Sequence, residues 1–309
     1  MKVEDFRSLT LDQIDTVRKF VNSYVNGCCD NTVGCFFGWR EFYGVRYCIS
    51  EDILFIRYSH EENSLPVYAS PMPLSGKTED FLKGIDMLID MTVANGEEQF
   101  LLVTITSPEI SHICEKYGSR VSYYADEDAY DYVYNSQDLA YFKGKKYHGE
   151  RNHVNKFKSL YPDYSFVKIS GDMITQAYNF CVEYVANNPK TADTAVAEYK
   201  KIPEYFENYM LYDFDGGALV VDGRIIGVCL AETIGDTLYE HFEKCDSSFS
   251  GAHQVLVSEM AKCFALDKGI PFINREDDAG DLNLRKSKLN YHPVRMIEKH
   301  VVTLNCSVN

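Results

Sequence analysis

Ala218-Leu219-Val220-Val221 and Arg224-Ile225-Ile226-Gly227-Val228 are two β-type runs joined only by Asp222-Gly223. A two-residue Asp-Gly link closes as a type I′ turn, in which both central residues take φ > 0 and the turn follows the natural twist of the strands. The segment is therefore an antiparallel hairpin, and its surroundings must be built on a sheet. Downstream, Ile234-Gly235-Asp236 turns the chain into another strand, Leu238 to Glu243. The loop Ser247-Ser248-Phe249-Ser250-Gly251 then leads into a helix striped by Leu256, Met260, Cys263 and Phe264. Lys268-Gly269 ends that helix, Pro271 lies just beyond, and Phe272-Ile273 begins the next strand. A last strand is expected within Val294 to Leu304. Upstream, Asp172 caps a helix with Ile174, Ala177, Cys181, Tyr184 and Val185 on one side, closed by Asn188-Pro189.

The first half reads in the same order. Leu11, Ile14, Val17, Val21 and Val25 stand near helical spacing, and from 33 to 70 the text turns β. Tyr47-Cys48-Ile49, a Ser50-Glu51-Asp52 turn, Ile53-Leu54-Phe55-Ile56 and Leu65 to Ala69 are its strands. Thr78 is a candidate N-cap for a helix striped by Phe81, Ile85, Leu88, Ile89 and Thr92 and ended by Asn95-Gly96. Phe100 to Ile105 is a short apolar strand, Ser107-Pro108-Glu109 opens another helix that stops at Tyr117-Gly118, and Tyr123 to Tyr134 alternates as a closing strand. A chain of 309 residues is too long for one ordinary domain and suits two of about 150. The expected fold is α+β: two tandem halves, 1–140 and 141–309, each a mixed, mostly antiparallel sheet flanked by helices.

Several classes are excluded at this stage. No apolar run approaches the roughly 20 residues that cross a bilayer. The opening, with Lys2, Glu4, Asp5, Arg7, Asp12 and Asp15 among scattered apolar residues, is neither signal nor transit peptide, so a cytoplasmic protein is expected. The ten cysteines contain no CxxC pair and no Cys/His cluster, which predicts buried free thiols and no metal, with Cys28-Cys29 the one candidate reactive pair. A net charge of −15 speaks against general nucleic-acid coating. The charge is uneven, however. Lys143, Lys145, Lys146, Arg151, Lys156 and Lys158 face only Glu150, and a second basic stretch carries Arg285, Lys286, Lys288, Arg295 and Lys299.

Two segments carry a resemblance. Tyr141-Phe142-Lys143-Gly144-Lys145-Lys146 with Arg151-Asn152 and Phe157, and the run from Asn274 through Asp278-Ala279-Gly280, Leu284-Arg285, Ser287-Lys288 and Tyr291 to Pro293, are similar to the C-terminal domain of phosphatidylglycerol lysyltransferases. The element order is similar to Gcn5-related N-acetyltransferases, and its duplication to the Fem-type peptidyltransferases. The resemblance implies transfer of an aminoacyl or acyl group from an activated donor, aminoacyl-tRNA or acyl-coenzyme A, to an amine or hydroxyl acceptor, with no tightly bound cofactor. Two departures qualify it. The membrane-embedded half of the lipid-modifying relatives is missing, and the loop before residue 252 lacks the Arg/Gln-x-x-Gly-x-Gly/Ala pyrophosphate cradle of coenzyme A users.

Candidate residues follow, each with a plainer alternative. Glu240, on a mostly apolar strand face with Leu238 and Phe242, is a candidate acid/base group with a pKa raised by desolvation, or a carboxylate satisfied by a buried Arg or Tyr. His241 and Glu243 share its strand. Asp278 is either a second acid/base group or half of a tight turn with Gly280. Asn274, Arg285, Lys288 and Tyr291 have the residue types for a phosphate or carboxylate of the small-molecule or peptide acceptor. Lys145, Lys146 and Arg151, with Ser250 and Gly251, are candidates for donor phosphates, tRNA included; Arg151-Asn152 alternatively pins the link between halves. The first half, with Trp39 as core or cleft wall, is expected to shape the cleft without chemistry. A non-catalytic ligand-binding protein and an ordinary coenzyme A-dependent N-acetyltransferase remain as competing readings.

Overall fold

The computed structural model describes residues 1–59, 65–189 and 193–307. The chain divides into two compact units, 1–131 with 277–281 and 297–309, and 132–276 with 282–296.

The first unit is built on an eight-stranded sheet. Its strands are β1 (Arg7–Ser8), β2 (Arg46–Ser50), β3 (Ile53–Tyr58), β4 (Val67–Ala69), β5 (Met72–Pro73), β6 (Gln99–Thr106), β7 (Val121–Ala125) and the last strand of the chain, β15 (Lys299–Asn305). They run in the order β1-β2-β3-β4-β6-β15-β7, with β5 paired to β3. All neighbours are antiparallel except β4 and β6, which the helix α3 (Thr78–Ala94) joins as a crossover. Phe81, Ile85 and Leu88 of α3 and Ile113 of α4 (Ser107–Tyr117) are fully buried against Phe55, Phe100 and Leu102. Burial of each such side chain is worth about 1.5–3 kcal/mol.

The second unit repeats the plan. Its strands are β8 (Asp131–Asn135), β9 (Ser165–Lys168), β10 (Asp215–Val221), β11 (Arg224–Ile234), β12 (Thr237–Cys245), β13 (Phe272–Asn274) and β14 (Arg295–Ile297), in the order β14-β8-β13-β12-β11-β10-β9. The Asp-Gly hairpin forms as expected: Val221 pairs with Arg224, and Asp222 and Gly223 both take positive φ, 50° and 74°. Here β12 and β13 are the parallel pair, and α10 (Ala252–Met260) is the crossover. Val255, Leu256 and Met260 of α10 pack on Leu219, Cys229, Ala231, Leu238 and Ile273.

Three sequence expectations are corrected. Val33–Gly38 is helical, because the Thr32 side chain accepts from Cys35 N–H and caps a turn there. The expected closing strands, Tyr123 to Tyr134 and Val294 to Leu304, each split in two. Of the pieces, β7 stays in the first sheet while β8 joins the second between β13 and β14. Reciprocally, β14 stays in the second sheet while β15 enters the first between β6 and β7. A single cut at 140/141 therefore does not describe the compact units. Each sheet takes an interior strand from the other half of the sequence. Among the described residues, no helix is long and apolar enough to cross a membrane.

Candidate active site

Strand β12 carries the buried charged side chains of the second unit, and a β-bulge decides which face each one takes. Opposite β11, Glu240 pairs with Ala231 and Phe242 with Leu230, which leaves His241 as the extra residue. The inserted residue resets the alternation. Phe242 turns to the face opposite Leu238, correcting the simple alternation, and Glu243, paired with Cys229, joins Glu240 on the α10 face.

Between these carboxyls lies Arg275, just past β13. Its Nε is 3.0 Å from Glu240 Oε2 and its Nη2 is 2.6 Å from Glu243 Oε2. The guanidinium sits 4.8 Å from the Tyr291 ring centre and 5.9 Å from that of Tyr134. Glu240 is deeply buried, and its second oxygen has no hydrogen-bond partner among the described residues. Burial outweighs Arg275 and pushes the Glu240 carboxyl up to about 7. Burial presses on Glu243 too, but there Arg275 and His253 together override it and hold the carboxyl below its usual range. Burial thus favours the protonated form at Glu240, while the contacts of Glu243 favour its ionised form. The acid/base candidate and the carboxylate paired with a buried Arg are one and the same residue.

His253, in the first turn of α10, completes this face. Its Nε2 stands 2.7 Å from Glu243 Oε1 and its Nδ1 3.1 Å from the Tyr291 hydroxyl. On the opposite face, His241 lies between Glu232 (2.8 Å from Nε2) and Glu276 (2.7 Å from Nδ1). Burial raises the Glu276 carboxyl, but the His241 contact, with Lys201 and Lys288, prevails and lowers it to about 2. Alternation along 273–276 sends Ile273 and Arg275 to one face and Asn274 and Glu276 to the other.

The structure gathers some sequence candidates and separates others. Glu240, Lys288 and Tyr291 meet around Arg275. Lys288 is buried and donates to the Arg275 carbonyl, while the Tyr134 hydroxyl donates to the Lys288 carbonyl (2.9 Å), so Lys288 braces the end of β13. Asn274 lies on the other face and accepts from Glu276 N–H at 2.8 Å. Asp278 belongs to the first unit, in 277–281, where its Oδ1 accepts from Gly280 N–H, the tight-turn geometry. Arg285 is half-buried on α11 (Leu282–Asn290). Arg151, on α6 (His148–Leu160), donates to the carbonyls of Phe142 and Gly144 and pins that segment rather than presenting a free grip. Lys145 and Lys146 are exposed, Lys146 beside Asp138 at 3.2 Å. Gly251 has φ +89°, and a Cβ there would come within 2.3 Å of the His153 carbonyl oxygen, so α6 packs directly on the Ser250-Gly251 loop. Arg275 and His253 were missed as site residues. Arg275 stood inside a run of polar letters, and His253 was a lone histidine.

The first unit has its own charged cluster. Lys299 is buried with its ammonium 2.6 Å from Asp131, 2.5 Å from Asp30, 3.8 Å from Asp277 and 3.5 Å from Cys29 Sγ. Cys29, Asp131 and Asp277 offer ligand atoms within 4.8 Å of one another, as a metal site would, but the lysine already supplies the cation at their centre. Burial pushes the Cys28 and Cys29 thiols well up, which removes the reactive-pair reading.

Residues 22–303 match the family described as phosphatidylglycerol lysyltransferase, C-terminal. The chain belongs to that family. A conserved protein of unknown function from Bacteroides thetaiotaomicron has a similar structure, with 28% identity, 97% of this chain and 99% of that one covered, and a TM-score of 0.87. The structure of L-PGS from Bacillus licheniformis shares the fold at 12% identity and a TM-score of 0.66, over 96% of this chain and 92% of that one. A tandem GNAT protein from the clavulanic acid biosynthesis pathway aligns at 8% identity and a TM-score of 0.50, over 98% of this chain and 99% of that one. The family is thus that of the phosphatidylglycerol lysyltransferase C-terminal region, and the fold is one shared with L-PGS and the tandem GNAT protein.

Proposed function

We propose that the second unit is the transferring half, and that it moves an aminoacyl group from an activated ester such as aminoacyl-tRNA to an amine or hydroxyl acceptor. The observation that carries this reading is the carboxyl pair on Arg275, with Glu240 pushed up to about 7. An amine or hydroxyl that attacks an ester loses a proton as the new bond forms, and the leaving hydroxyl needs one back. A carboxyl pair that holds one proton near neutrality can take the first and return the second. No covalent enzyme intermediate is required. Lys145 and Lys146 are exposed and suited to donor phosphates. The His153 carbonyl packed on Gly251 puts an oxygen where coenzyme A users accept a pyrophosphate, which favours a donor other than an acyl-coenzyme A. The charged cluster of the first unit closes on Lys299 and is assigned no chemistry. An aminoacyl-tRNA donor would place the reaction in the cytoplasm.

The test is transfer from a panel of labelled aminoacyl-tRNAs, and separately from acetyl-coenzyme A, to small amine and hydroxyl acceptors. Turnover with charged tRNA is expected, falling about 10²–10⁴-fold in Glu243→Gln. Turnover with acetyl-coenzyme A alone, or with neither donor, overturns the reading.

A further inference from the structure

Among the described residues the two sheets end on β1, β7, β14 and β9, and three of these edges are blunted. β1 is two residues long and carries Arg7, β9 ends on Lys168, and β14 begins on Arg295. Short length and a basic side chain are what keep an edge from pairing with another chain. β7 has neither device. Its five residues, Val121-Ser122-Tyr123-Tyr124-Ala125, include no charge, proline or glycine, and they pair with β15 in unbroken register from Leu304 opposite Val121 to His300 opposite Ala125. From Ser122 to Ala125 the strand is exposed, with Tyr123 at 53% and Tyr124 at 63%. Tyr123 shares a face with the core residue Val302 opposite it, and Tyr124 takes the other face. Both sides of this rim therefore end in a tyrosine that the rest of the chain leaves more than half uncovered.

We propose that the β7 edge is a docking surface for a second copy of this chain, which adds its own β7 antiparallel about a two-fold axis at Tyr123. The flanks of the strand select that occupant. Arg120 precedes β7 and Asp126 follows it, each three residues from Tyr123. With Tyr123 opposite the second copy's Tyr123, Arg120 therefore falls opposite Asp126 at both ends of the paired strands. Neither side chain forms an ion pair within the chain among the described residues. Arg120 donates Nε to the Asn305 carbonyl at 2.8 Å and lies 5.8 Å from the Tyr117 ring centre, and the hydrogen bonds of Asp126 are those of its backbone. The same alignment sets tyrosine against tyrosine on one face and Tyr124 against Ser122 on the other, and aromatic cross-strand pairs stabilise sheets. The outward N–H and C=O groups of each edge find partners in the other. A strand that is its own complement makes an isologous contact, which closes at two copies. The contact is short and each copy carries a net charge of −15, so the dimer is weak and concentration-dependent. Nothing in this pairing depends on the transfer reaction.

The experiment is analytical ultracentrifugation of the full chain from micromolar to millimolar concentration, where a reversible monomer–dimer equilibrium is expected. Tyr123→Lys sets like charges directly opposite each other across the axis and should abolish the dimer over this range. Asp126→Arg replaces attraction by repulsion at both ends of the pair and should raise the dimer dissociation constant about tenfold. Arg120→Asp should act in the same direction. The double exchange, Arg120→Asp with Asp126→Arg, restores the complement and should return the constant to within about threefold of wild type. Hydrogen exchange of the wild-type chain at low and high concentration needs no variant, and should show added protection at the β7 amides on dimerisation. Circular dichroism melts on the same samples identify any variant that fails to fold. A wild-type chain that stays monomeric throughout, or one that grows past the dimer, overturns the proposal. So does a dimer indifferent to Tyr123→Lys, a charge exchange without rescue, or protection gained elsewhere and not at β7.

Discussion

Arg275 is the residue on which the second unit's buried charges depend. Removing one partner from a buried ionic group leaves uncompensated charge and costs about 3–5 kcal/mol. Arg275→Leu should therefore lower the urea-unfolding free energy by that amount, and Lys299→Met should do the same in the first unit, where it strands the fully buried Asp131. Glu240 gives a pH signature. Its folded-state carboxyl titrates at about 7 against an ordinary value near 4.5, so between these limits only the folded chain holds the proton. Below that window the protonated carboxyl costs nothing extra. As pH rises through it, the unfolded state gains from ionising first and stability falls. Glu276 has the opposite sign: lowered to about 2, it contributes stability that is lost as pH falls below the usual carboxylate range. Glu240→Gln should match wild type at about pH 5 and become relatively more stable by about pH 8, read from urea melts at both. A constant offset at both pH values would contradict the assignment of the proton to Glu240.

At the scale of elements, the legible parts were those with local causes. The Asp222-Gly223 turn, the apolar stripe of α3 and the Tyr117-Gly118 stop each carry their reason in adjacent residues, and all three formed where expected. The bulge at His241 has no such local mark. One strand gains a residue relative to its neighbour, and only the register with β11 shows it. That hidden residue moves Glu243 onto the face of Glu240, so the carboxyl pair itself could not be read from alternation. Arg275 was invisible for the same reason: its partners are set by pairing between β12 and β13 rather than by spacing. Gly251 shows the converse, a glycine read as a phosphate cradle that is required by close packing. Gly251→Ala combines positive φ with a clash against backbone, and should cost about 1–3 kcal/mol in thermal or urea unfolding. No loss of stability would mean that α6 can withdraw from the loop.

Across the whole molecule, the reciprocal placement of β8 and β15 escaped the sequence because strand order within a sheet is decided by edges far apart in the chain. Each expected closing strand forms as two pieces, of which one stays in the sheet of its own half and the other joins the second sheet or the first. Truncation after Glu298 removes β15 from the interior of the first sheet, together with Lys299 from the cluster at Asp131. The first unit should then lose its cooperative melt and become sensitive to limited proteolysis, while the 132–296 region retains its own. Survival of both transitions would show that β6 and β7 can close the gap between them.

The same placement bears on how the protein is made. On the ribosome, β6 and β7 emerge well before β15, and have no contact partner between them until 299–305 leave the tunnel. Until then the nascent first unit presents two unpaired strand edges, the kind of surface that recruits foreign strands. The strand order of this fold therefore completes the first unit after the strands of the second have been made, and places the strongest demand for chaperone protection on residues 1–131.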